Sequence, residues 1–110
     1  MTSISTEPAE RTNSAEPAAP GKSRRAVTLS TIRKFVERGE KFACLTCYDA
    51  TTARWLQRAG VPVLLVGDTA AEVILGHSST IHAPLDFLIA LTAAVKRGAP
   101  DTMWMADMPF

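Results

Sequence analysis

Val61-Pro62-Val63-Leu64-Leu65-Val66-Gly67-Asp68-Thr69 decides the fold. A strand with one wet face alternates apolar and polar residues. The run from Val61 to Val66 does not alternate, and it sits between the turn signals Gly60 and Gly67. A short apolar run of this kind predicts a parallel strand buried on both faces. Pro62 lacks an amide donor and is tolerated close to the strand's start. The run ends on Gly67 and passes at once to a carboxylate, Asp68. In parallel α/β folds, ligands bind beyond the carboxyl ends of the strands. The same stretch therefore offers the first candidate site residue.

Upstream, Asp49 caps a predicted helix with Ala53, Leu56 and Ala59 on its inner face and Gly60 as its stop. Phe42 to Cys47 is a second short apolar run and reads as a strand. Before it, Thr28 or Ser30 can cap a helix with Ile32, Phe35 and Val36 on one face, stopped by Gly39. Downstream, Gly67 to Thr80 is a long connection with room for one helical turn at Ala70–Leu75. Pro84 suits the first turn of a further helix. Its expected buried stripe is Leu85, Leu88, Ile89, Thr92 and Val95, and Gly98 is its expected end. Met103 to Ala106 is a third strand, followed by Asp107-Met108-Pro109-Phe110.

The order is helix, then β-α-β-α-β. Right-handed crossovers make the three strands parallel. Such a sheet leaves two open edges and poorly covered faces, which isolated domains avoid. The expectation is an α/β fold and an incomplete chain, completed as either a doubly wound sheet or a (β/α)8 barrel.

Composition narrows the function classes. The chain has 110 residues, 46% hydrophobic and 21% charged, which is one small domain at most. Lys plus Arg is 12 and Asp plus Glu is 11, a balance that argues against a nucleic-acid partner. No apolar run approaches the ~18 residues of a membrane span. Residues 1–25 are rich in Pro, Ser, Thr, Ala and Glu, with Met1 and Ile4 as the large apolar residues. They predict a disordered tail. Three glutamates there break the acid-poor pattern of a transit peptide. Residues 26–110 carry 8 basic and 8 acidic side chains and read as a neutral metabolic domain. Two cysteines without a secretion signal predict a reducing, cytoplasmic setting. Cys44 and Cys47 form C-x-x-C, but on a strand positions i and i+3 face opposite sides. With no second pair to complete a zinc site, both read as ordinary core or wall thiols.

Three carboxylates fall at predicted strand ends: Asp49, Asp68 and Asp107. Asp49 precedes a good helix and reads as its cap. Asp68 and Asp107 directly follow apolar strands. Two carboxylates on one rim suit a hard cation, since Mg²⁺ takes one or two carboxylates plus waters and substrate oxygens. Gly67 is not part of a phosphate loop, because G-x-x-x-x-G-K is missing. Lys96 and Arg97 end a helix, where cations complement the macrodipole. His77 and His82 read as loop residues, and Tyr48 as either a pocket wall or a packing residue.

Five segments occur in order: Leu45-Thr46-Cys47-Tyr48-Asp49, Val66-Gly67-Asp68-Thr69, Gly76-His77-Ser78-Ser79-Thr80, Thr92-Ala93-Ala94-Val95-Lys96-Arg97-Gly98-Ala99-Pro100 and Ala106-Asp107-Met108-Pro109-Phe110. Together they resemble the N-terminal part of the ketopantoate hydroxymethyltransferase family, from about Leu29 to the last residue. The resemblance implies that residues 26–110 form the N-terminal portion of a (β/α)8 TIM-type barrel. A complete barrel is typically ~250 residues.

The resemblance further implies transfer of a hydroxymethyl group from 5,10-methylenetetrahydrofolate to 3-methyl-2-oxobutanoate, giving 2-dehydropantoate in pantothenate biosynthesis. It implies Mg²⁺, a homo-oligomer (a decamer in bacterial members) and no nucleic-acid or membrane partner. Asp68 matches a family aspartate that ligates the metal and touches the oxo acid. Thr69 falls on a substrate-holding serine, and Asp107 matches a second aspartate serving metal and substrate. A 2-oxo acid can chelate a cation through its carboxylate and keto oxygens, and the cation then stabilises the enolate.

The chain departs from the family at several points. Thr69 keeps the serine's hydroxyl but adds a methyl that restricts rotation. Ala70-Ala71 replace a Leu-Gly pair, with an expected loss of backbone freedom. Ile81-His82-Ala83-Pro84 replaces a Leu-Pro-containing stretch. The family's further metal-site glutamate, its substrate lysine and its catalytic-base glutamate lie beyond Phe110. No catalytic base is therefore expected in this chain, and the chain alone is expected to be inactive. Alternatives are another Mg²⁺-dependent 2-oxo-acid carbon–carbon lyase or transferase of a related barrel, a non-catalytic half-barrel interaction module, or a small doubly wound binding domain.

Overall fold

Val63, Leu64 and Val66 are buried because their strand is the middle one of three. The computed structural model describes residues 24–110. Within them lie α1 (Leu29–Glu37), β1 (Cys44–Thr46), α2 (Ala50–Arg58), β2 (Val63–Val66), α3 (Ala70–Val73), a 3₁₀ turn (Thr80–His82), α4 (Leu85–Gly98) and β3 (Met103–Ala106). The sheet order is β1-β2-β3 and both pairings are parallel. Cys44 lies opposite Val63, and Val63 opposite Met103. The three-stranded parallel α/β arrangement expected from the sequence is the one observed.

The helices form for local reasons. Thr28 and Thr31 cap α1 reciprocally, side chain to backbone. The Asp49 carboxylate accepts from the Thr52 amide at 2.7 Å and caps α2, as expected. Gly60 follows α2 at φ +85°, a conformation that side chains other than glycine's disfavour. The hydrogen bonds from Thr52, side chain first and then backbone, hold the Asp49 carboxyl below its ordinary range.

One core cluster joins Cys47, Ala53, Leu64, Val66, Val95 and Ala99 between sheet and helices. A second, Ala70, Ala71, Ala83 and Leu88, lies under the connection after β2. Tyr48 and Leu91 pack against both. Gly98 ends α4, as the sequence predicts, with Ala99 as the cap. Its role is close approach. A Cβ on Gly98 would meet the Ala50 backbone, with the Cα and carbonyl carbon within 2.8 Å.

The stripe expected on α4 is only partly buried. Leu88 and Val95 are buried, while Leu85 and Ile89 are 46% and 56% exposed. Both border a groove of about 300 Å³ shared with Trp104 and Met108. The buried face is turned toward α2 and β2, because no described element packs on the far side of β3. Ala59, expected on the inner face of α2, is exposed at the helix cap.

At the amino ends of the strands, Gln57 stitches three segments together. Its side-chain oxygen accepts from the Asp101 amide at 2.8 Å and the Thr102 hydroxyl at 3.3 Å. The Val27 amide donates to the Asp101 carbonyl at 2.8 Å. The Arg24 guanidinium donates to the Gln57 and Arg58 carbonyls at the end of α2. The tail expected over residues 1–25 lies outside the described residues, apart from Arg24 and Arg25. Among the described residues no helix is long and apolar enough to cross a membrane.

Gly98→Ala is expected to destabilise the protein by about 1–3 kcal/mol in denaturant unfolding, because α2 and α4 must separate. Alanine is the better helix former, so a stabilised variant would show that the close approach does not constrain the packing. Asp49→Ala is expected to cost about 1 kcal/mol at neutral pH. Because folding lowers the Asp49 pKa, its contribution is complete above the unfolded value and fades as pH falls through the folded one. The gap between the two proteins is therefore expected to narrow below about pH 4 in pH-dependent melts.

Candidate functional site

Pairing continues past the ends of the strands, and this builds the site. The Cys47 amide donates to the Leu65 carbonyl at 2.9 Å, carrying Tyr48 to the rim. The Asp107 amide donates to the Val66 carbonyl at 3.0 Å, carrying Asp107 to the same rim. The Asp107 carboxylate turns back and accepts from the Asp68 amide at 3.1 Å. The Tyr48 and Thr69 hydroxyls are 2.6 Å apart.

Gly67 is buried at the centre of this group. A Cβ there would stand 3.1 Å from the Thr69 hydroxyl oxygen, 3.5 Å from an Asp107 carboxylate oxygen and 3.8 Å from the Tyr48 hydroxyl. The missing side chain leaves a small cradle bordered by two hydroxyls and a carboxylate. Any other residue would fill it.

Asp68, Thr69 and Asp107, the residues expected to bind substrate, are thus brought together. Asp68 and Asp107 lie on adjacent strand ends and are linked through the Asp68 amide. Both are half-buried, and Thr69 is exposed. Among the described residues no group of three or more His, Cys, Asp or Glu could hold a metal ion. The Asp107 carboxylate at the cradle and the carboxylate of neighbouring Asp68 are hard oxygen donors of the kind Mg²⁺ takes in small number, the remainder coming from water and substrate. The donor set fits that ion.

Other expected residues fall elsewhere. Asp49 is a helix cap. Cys44 is exposed and Cys47 buried, so the C-x-x-C thiols do face apart. Burial pushes the Cys47 thiol pKa up. His77 and His82 pair with each other in the exposed connection, ring centroids 5.4 Å apart. Ala70 and Ala71 are fully buried in the first turn of α3. No residue other than glycine among those described has a positive φ, so replacing the family's glycine here costs no backbone strain.

Sequence reasoning left Gly67 without a role beyond turning the chain, and Tyr48 undecided between wall and packing. Both sit four residues beyond positions paired in register, Cys44, Val63 and Met103, as does Asp107. That common offset is the signal that could have grouped them.

Residues 26–110 match the family model of ketopantoate hydroxymethyltransferase. A 3-methyl-2-oxobutanoate hydroxymethyltransferase of Thermobifida fusca is 50% identical over 90 residues, covering 82% of this chain and 32% of the relative. One of Frankia casuarinae is 43% identical over 104 residues, covering 94% of this chain and 35% of the relative. One of Marinobacter nauticus is 45% identical over 85 residues, covering 77% and 32%. The chain therefore spans about a third of the length of these curated relatives. With the family model matched from residue 26 to residue 110, and with the paired aspartates at one rim, the chain belongs to the ketopantoate hydroxymethyltransferase family.

Proposed function

We propose that the protein carrying this sequence transfers a hydroxymethyl group from 5,10-methylenetetrahydrofolate to 3-methyl-2-oxobutanoate, giving 2-dehydropantoate for pantothenate synthesis. The observation that carries this reading is the meeting of Asp68, Thr69 and Asp107 around Gly67 at the carboxyl ends of β2 and β3. The names of the relatives support the same activity.

In this reading Asp68 and Asp107 are the residues that would hold Mg²⁺. Such an ion would supply electrophilic stabilisation to a keto oxygen and so make the neighbouring C–H more acidic. The chain's own residues fix where the substrate lies. Asp107 is held by the Asp68 amide, which orients its carboxylate before any ligand arrives. Thr69 offers a hydroxyl to the substrate carboxylate. The absence of a side chain at Gly67 leaves the Thr69 and Asp107 oxygens uncovered on that side. No residue of this chain is assigned as the proton acceptor. The (β/α)8 barrel, the homo-oligomer and the cytoplasmic setting belong to the same proposal.

In the complete protein, Asp68→Ala and Asp107→Ala are each expected to lower kcat/KM for 3-methyl-2-oxobutanoate on the order of 100-fold or more. A chelator is expected to abolish 2-dehydropantoate formation, and added Mg²⁺ to restore it. Undiminished turnover in both variants would sink the assignment of these residues. Absence of 2-dehydropantoate with the unaltered protein would sink the reaction itself.

A further inference from the structure

Thr69 stands at the cap position of α3, with φ −55° and ψ −15°, and its side chain makes no capping hydrogen bond. Those dihedrals are helical rather than the extended ones from which a threonine caps, so the hydroxyl is not drawn to the amides of the first turn. Its hydroxyl lies 2.6 Å from that of Tyr48, 21 positions earlier in the chain. The bond joins the end of β1 to the connection after β2.

The Tyr48 ring is an unusually firm support for such a bond. It is half-buried and packs against both core clusters, one between sheet and helices and the other beneath α3. A tyrosine carries two side-chain torsions, and here packing on two sides restricts them. The phenol oxygen is therefore held in place, while Thr69 is exposed and its hydroxyl is free to rotate unless something fixes it.

The direction of the bond follows from chemistry. A phenol, with pKa ≈ 10, is a far stronger acid than an alkyl hydroxyl and is the better donor. With Tyr48 donating to the Thr69 oxygen, the threonine's own hydrogen remains available. A hydroxyl that accepts one hydrogen bond also becomes a stronger donor in the next. The Thr69 hydroxyl lies beside the Gly67 cradle, which the Asp107 carboxylate also borders. Its free hydrogen suits an anionic oxygen that approaches exposed Thr69 from the rim.

We propose that Tyr48 is a positioning residue: its hydroxyl holds the Thr69 hydroxyl at the Gly67 cradle and turns the threonine's hydrogen toward the carboxylate of the 2-oxo acid. This rests on the reaction proposed above and adds to it the group that aligns the substrate's carboxylate end. Tyr48 acts through Thr69 and need not touch the substrate.

The test is a double-mutant cycle of Tyr48→Phe and Thr69→Val in the complete protein, with steady-state kinetics and thermal melts. Phenylalanine keeps the ring that both clusters grip, so the melting temperature is expected to stay within a few degrees. Tyr48→Phe is expected to raise KM for 3-methyl-2-oxobutanoate about 5- to 10-fold, the loss of one hydrogen bond. The fall in kcat should be smaller, and KM for 5,10-methylenetetrahydrofolate should move much less. In the Thr69→Val background, Tyr48→Phe is expected to add nothing further. Equal effects of Tyr48→Phe in both backgrounds would overturn the proposal, because Tyr48 would then act without Thr69. A lowered melting temperature with no selective change in KM would assign Tyr48 to packing alone. An unaltered protein that forms no 2-dehydropantoate would overturn the reaction and this role together. Normal turnover with Tyr48→Phe indistinguishable from wild type would overturn the role only.

Discussion

The register of three parallel strands is the constraint on which the rest depends. Cys44, Val63 and Met103 lie side by side. Counting four residues along each strand arrives at Tyr48, Gly67 and Asp107. Two backbone hydrogen bonds extend the pairing beyond the regular strands and hold those positions on one rim. A slip of one residue in any of the three strands would reverse which side chains face the helices and which face the opposite side of the sheet. The buried Val63, Leu64 and Val66 make that slip costly.

Two glycines allow close approaches, one between helices and one at the site. Gly98 lets α4 lie against the first residue of α2, which seats both crossover helices close to the sheet. Gly67 leaves the cradle that Thr69, Asp107 and Tyr48 border. The amino ends of the strands are tied separately, by Gln57 to Asp101 and Thr102. Packing and stitching at one end leave the carboxyl ends free to carry polar groups. This separation of roles is the general habit of parallel α/β folds.

Coverage of the sheet is uneven. β2 is buried, whereas Leu45 on β1 and Trp104 and Met105 on β3 remain about two-fifths exposed. Leu85 and Ile89 of α4 share the open side with Trp104. Among the described residues nothing crosses that side. Unpaired parallel edges of this kind are uncommon in isolated domains.

Much of this could be read along the chain. The uninterrupted apolar run at Val61–Val66 named a buried parallel strand, and Asp49 named a helix cap. Asp68 and Asp107 were marked by the strands they follow, because a strand's end is a local property. What stayed hidden were contacts between segments distant along the chain. Asp68 and Asp107 are 39 positions apart and Tyr48 and Thr69 are 21, and each pair meets only through the sheet. Gly98 was legible as the end of α4, and the helix does end there, but its second role was not legible. That it faces the Ala50 backbone is decided by how α2 and α4 pack, and no local pattern encodes that distance. Leu85 and Ile89 show the reverse: their spacing made them core residues, but burial depends on what packs against a face, and periodicity carries no information about the neighbour.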